Sequence, residues 1–178
     1  MAPNSRLLSD TKPETLGAMS REPVHAIHEY FDQPKLGVAH YRGRPHVYER
    51  EFSEAQDDYT DRYYLTEIDP DLLALVKEDW EIFLRWAESF KRGETTIETH
   101  PALPHERHRH DELRNLIGDR VRTDHARCAI ARAEFRAAGG GTEVKWHDVG
   151  ANNALDRTTL RRCYAALRSS DVAGQRGR

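Results

Sequence analysis

The chain has 178 residues, 38% hydrophobic and 32% charged, and its 27 Lys and Arg against 30 Asp and Glu leave a net charge of −3. That composition is polar but still able to collapse, so one domain with a modest core is expected, and a long-range field drawing the molecule to nucleic acid is not. Two cysteines, Cys128 and Cys163, are too few for a disulfide framework; no run of 18 apolar residues and no apolar leader occurs, so a membrane span is excluded and the cytoplasm is the expected compartment.

Residues 1–22 mix Pro, Ser, Thr, Asp and Glu with few large apolar groups, the composition of a disordered arm. From Val24 the character changes. VHAIHEYF, LGVAHY, HVYEREF and RYYLTEI are short runs rich in β-branched and aromatic residues, separated by DQPK, RGRP and SEAQDDYTD. Arg42-Gly43 lies where Gly supplies the positive φ of a tight hairpin. The pattern predicts three or four antiparallel strands in a meander.

A long helix follows. Asp69-Pro70 reads as an N-cap with Pro at the first helical position, and Gly93 after Lys91-Arg92 as the terminating glycine. Between them Leu72, Val76, Trp80, Phe83, Ala87 and Phe90 recur at helical spacing, widened by Leu73, Leu75, Ile82 and Trp86. So broad an apolar face demands a large cover, and the sheet is the expected one. Glu81–Arg85 and Glu88–Arg92 are expected ion pairs on the outer side.

After GETTIETHPAL, Pro104 is expected to open a second helix lined by Leu113, Leu116, Ile117 and Val121. CAIARAEFRA and TEVKWHDV form a late hairpin around Gly139, Gly140 and Gly141. No Lys-Ser or Lys-Thr follows these glycines, so a phosphate loop is not supported. Residues 151–178 carry 6 Lys and Arg against 2 Asp and Glu, a basic tail whose Leu155, Leu160, Cys163, Tyr164 and Leu167 suit a short helix. The expected fold is thus one α+β domain over residues 23–150. In it a mainly antiparallel sheet, front meander plus late hairpin, packs against one long and one shorter helix.

HPALPHERHRH, residues 100–110, holds four of the ten histidines. On a helix His105 and His108 share a side and could reach one divalent transition metal, with Glu106 as a base and a third ligand from His100, Asp111 or His125. Arg109 stands where the helical zinc pattern needs histidine, and Arg107, Arg109 and Arg114 would place positive charge beside the ion. A solvated helix start with His and Arg paired to Glu106, Asp111 and Glu112 is the simpler expectation, and no cofactor is expected. His110 lies three residues before Leu113 and so borders the apolar stripe.

The front strands interleave Tyr41, Tyr48, Arg42, Arg44 and His46, and the loop after them carries Glu54, Asp57, Asp58 and Asp61. Tyr and Arg are common anchors of protein interfaces, so a protein partner contacting Tyr41, Arg42, Arg44, His46, Tyr48, Asp57, Asp58 and Asp61 is the leading expectation. The same face could stack on nucleic-acid bases, but Glu29, Asp32, Glu49, Glu51 and the acidic loop would repel phosphates. No hydrolase, kinase or zinc-ribbon spacing is present. The functional expectation is a non-enzymatic binding or regulatory module, ahead of a metal-assisted enzyme and a nucleic-acid-binding module.

Overall fold

The computed structural model describes residues 20–149. The expected arm over most of residues 1–22 and the basic tail of residues 151–178 lie outside the described residues. Four strands come first: β1 (Glu22–Tyr30), β2 (Pro34–Tyr41), β3 (Arg44–Ser53) and β4 (Asp58–Glu67). Helices α1 (Pro70–Lys91) and α2 (Arg107–Ile117) follow, then β5 (Ala129–Ala138) and β6 (Gly141–Asp148). The strands and the long helix fall where the residue pattern places them. The second helix begins three residues past Pro104, which lies in the preceding turn.

The architecture corrects the expected α+β sheet. All six strands close into one antiparallel barrel in chain order, β6 returning to pair with β1 through Glu22–Val144, Pro23–Glu143 and Val24–Thr142. A sheet of twisted strands curls, and extra residues in one strand sharpen the curl. Register shifts interrupt β1 between Val24 and Ala26, Ile27 and Glu29, and Glu29 and Tyr30, and β3 between Arg50 and Phe52. Closure then pairs the two strands that an open sheet would leave as edges.

Local chemistry sets the turns. Arg42 and Gly43 both take positive φ (54° and 75°), as do Gly139 and Gly140, the pattern of two-residue hairpins that match strand twist. Asp69 caps α1 by accepting a 2.7 Å bond from the Leu72 N–H, Pro70 occupies its first turn, and Gly93 at φ 73° ends it. Arg92 pairs with Glu88 as expected, while Arg85 reaches across to Glu106 instead of Glu81.

A six-stranded barrel leaves room inside for side chains only. The interior is aromatic: Trp146 lies 6.0–6.2 Å, ring to ring, from Tyr41, Tyr63 and Phe135, and 6.1 Å from Tyr48. Polar tips find backbone acceptors, Trp146 Nε1 donating to His40 O at 2.7 Å and Tyr63 Oη to Pro34 O at 3.0 Å. Outside, Ala26, Val38 and Val47 form a second core with Leu72, Val76, Ile82, Leu113 and Ile117 of the helices. The buried line of α1 runs Leu72, Val76, Asp79, Ile82, Trp86, Ser89, rotated from the expected stripe so that Phe90 and Leu84 face solvent. Its C-terminal half packs on the following connection, where Trp86 donates to Thr99 and meets His100 edge-on.

Gly37 pairs with Tyr48 across β2 and β3, and the tyrosine ring covers the bare backbone there. A Cβ on residue 37 would stand 2.2 Å from Ala26 O and 2.4 Å from the Tyr48 hydroxyl. Because one obstruction is backbone, a rotamer change cannot clear it. Gly37→Ala is therefore expected to cost about 1–3 kcal/mol, the usual toll of overpacking, read as a lower urea midpoint at unchanged slope.

Candidate functional site

At the barrel end carrying the β2–β3 hairpin, the expected contact residues are already engaged. Tyr41 is buried, donates to Asp148 Oδ1 at 2.7 Å, and is pushed up to about 12 by burial with Asp148 adding. Arg42 Nη2 donates to the other Asp148 oxygen at 2.5 Å, and Glu22 accepts from the Arg42 and Gly43 N–H groups. Arg44 pairs with Glu67 at 3.1 Å. His46 is buried, its Nδ1 2.9 Å from Arg44 O and its ring edge-on to Tyr41. Tyr48 is 0% exposed, deep in the lumen, where burial drives its phenol far above the usual range. Alternation puts residues 44, 46 and 48 on one side of β3, the inward one, so His46 and Tyr48 are buried and only Arg44, at the open end of the strand, meets solvent.

The opposite end looks different. There the β1–β2 turn and the β3–β4 hairpin meet. Arg50 reaches back from β3 to Asp32 at 2.5 Å, and Lys35 lies over the Tyr59 ring at 4.6 Å while pairing with Glu29 at 3.2 Å. Phe52 packs edge-on against Tyr59 at 5.1 Å. Around this frame Phe31 is 71% exposed, Tyr30 67% and Phe52 47%. The turn between the strands adds exposed Glu54, Asp57 and Asp58, Asp58 accepting from the Tyr59 N–H; Asp61 beyond it pairs with Arg132 at 3.0 Å. The acidic half of the expected contact set thus sits beside solvent-facing aromatics, and its Tyr/Arg half at the far end of the barrel. Tyr30 belongs to the aromatic set of the front strands, whereas Phe31 and Phe52 carry no signal in the sequence, because an aromatic at a strand end reads the same whether it turns in or out.

The histidine-rich run separates in space. His100 packs on Trp86, His105 and His108 face solvent with His108 3.4 Å from Glu112, and His110 is buried. Arg107 donates to the carbonyls of Thr99 and His100, and Arg109 holds Glu78 and Glu112. Among the described residues no group of three or more His, Cys, Asp or Glu is arranged to hold a metal ion. His105 and His108 therefore have no third ligand there; His110 instead bonds Asp79 of α1 through Nδ1 at 2.6 Å, tying the two helices together.

Beneath that pair lie His25 and His28 of β1. The Nε2 atom of each is sealed from solvent with no hydrogen-bond partner among the described residues. Burial, with His40 and Lys77 adding, lowers His25 to about 4. Burial also lowers His28, Asp79 opposing and Arg114 adding. A charged imidazole in either place would lack the acceptor that a buried N–H requires.

His110→Ala would leave the Asp79 carboxylate buried without its imidazole, a loss on the order of 3 kcal/mol. Asp79→Asn keeps an acceptor for the imidazole N–H and is expected to cost about 1 kcal/mol. Urea denaturation of the two variants should separate them in that order. Comparison with protein-family models, curated proteins and solved structures gives no match to this chain.

Proposed function

We propose that this protein is a small cytosolic, non-enzymatic binding or regulatory module that takes a protein partner on the aromatic rim of the barrel. The observation that carries this reading is the gathering of solvent-facing Tyr30, Phe31 and Phe52 at one end of a barrel whose own interior is filled. Large apolar side chains left in water on a rigid scaffold mark contact surfaces, and aromatic rings lose little entropy when a partner covers them. Arg50 and Lys35, pinned by Asp32 and Glu29, hold the platform in place.

Charge narrows the partner. Glu54, Asp57 and Asp58 flank the rings, whereas Arg42 and Arg44 lie at the other end and are matched by Asp148 and Glu67. The rim therefore suits an apolar spot ringed by Lys or Arg on another protein, and it disfavours a phosphate backbone. No helix among the described residues is long and apolar enough to cross a membrane.

The test is isolation of native complexes from the source cell with wild-type protein, Phe31→Ser/Phe52→Ser and Arg42→Ala/Arg44→Ala. A partner retained by the arginine variant and weakened at least about tenfold by the rim variant is expected, since two anchors of roughly 1 kcal/mol or more are removed. A partner lost only with the arginines would move the contact to the other end. A monomer without any partner that turns over a metabolite would overturn the reading.

A further inference from the structure

We propose that His25 and His28 form a proton-operated latch between the barrel and its helical layer, opening in mild acid so that α1 and α2 lift from β1 as a pair. The two rings sit in the seam where α1 and α2 cover β1, between strand residues that otherwise bury apolar surface. Ala26, Val38 and Val47 meet Leu72, Val76 and Leu113 there. Both Nε2 atoms are dry and unpartnered among the described residues, so the seam accepts neutral rings and has no acceptor ready for an added N–H.

The charges facing the rings come from every element around them. His40 of β2 meets the His25 ring edge-on at 4.6 Å, and Lys77 of α1 faces it. His28 faces Asp79 of α1 and Arg114 of α2, with Glu29 beside it on β1. Protonated His25 would thus be repelled by Lys77 and, once charged, by His40; protonated His28 would set attraction to Asp79 and Glu29 against Arg114 and the loss of hydration. Asp79 is also committed to His110, whose Nδ1 lies 2.6 Å from its carboxylate. That bond joins α1 to α2, which is why the helices leave together.

The direction follows from linkage. A closed seam keeps His25 near 4, whereas a ring released to water returns to 6.5. Closure is therefore fully favoured above about pH 6.5 and is lost as pH falls toward 4, because the open form binds protons that the closed form refuses. The barrel interior is built on Tyr48, Tyr63 and Trp146, rings that gain no charge in that range, and its inward-facing His46 lies by the β2–β3 hairpin, outside the seam.

Hydrogen exchange of the full chain at pH 7 and pH 5, corrected for intrinsic rates, tests the latch. Amides of residues 70–91 and 107–117 are expected to open roughly tenfold more at pH 5, a figure discounted for the partial exposure of His25, while β2 to β6 keep their protection. His25→Phe/His28→Leu, which fills the same space without a titrating nitrogen, should hold the change within about twofold. Should the double variant not fold, His25→Phe alone is expected to remove about half of the response on a logarithmic scale. Strands and helices losing protection together, or a histidine-free seam that responds to acid as the wild type does, would overturn the proposal.

Discussion

The ring of Tyr48 lying on the bare backbone of Gly37 is the contact from which the rest of the structure follows. A closed barrel of six strands has a lumen one layer of side chains wide, and here that layer is aromatic. Tyr48, Tyr63, Phe135 and Trp146 fit by meeting edge to face or at a tilt, arrangements their quadrupoles favour over flat stacking. Rings this large fit only if some positions opposite them carry almost nothing. Gly37, Ala39 and Ala131 supply that space. Such a lumen is a core, so any recognition by this protein has to take place on its outside.

Burying these rings inward has an outward consequence. β1, β2 and β3 also carry apolar side chains on their outer face, and a strand apolar on both faces needs a second layer. The chain inserts α1 and α2 between β4 and β5 to provide it. Closing the sheet by pairing the last strand with the first leaves β1 under the helices, and with it His25 and His28. Buried polar groups thus lie where the two layers meet, where Asp79 and His110 answer one another and the two strand histidines are answered by nothing comparable.

The two ends of the barrel differ for a related reason. At the β2–β3 end, short turns bring Glu22, Asp148 and Glu67 within reach of Arg42 and Arg44, so charge is matched locally. At the other end the cations Lys35 and Arg50 brace the frame, and the rings of Tyr30, Phe31 and Phe52 have no inward position left to occupy. The lumen was already filled by residues from the middle of the strands.

The linear order of residues determined the local elements because their causes are local. Asp69, Pro70 and Gly93 bound a helix through the hydrogen bonds and dihedrals of their own neighbours, and Arg42-Gly43 and Gly139-Gly140 bend the chain by residues that tolerate positive φ. The burial of His110 was foreshadowed by its place three residues before Leu113. Closure was not legible, since alternation says that Tyr48 and Val47 face opposite sides but not which side is a lumen. The same limit made Tyr41, His46 and Tyr48 read as a surface and hid Asp79 inside an apolar stripe. Which imidazoles meet water, which meet Asp79 and which meet nothing was decided only by tertiary structure, because those answers depend on where two helices come to rest and on the pairing of β6 with β1, strands more than a hundred positions apart.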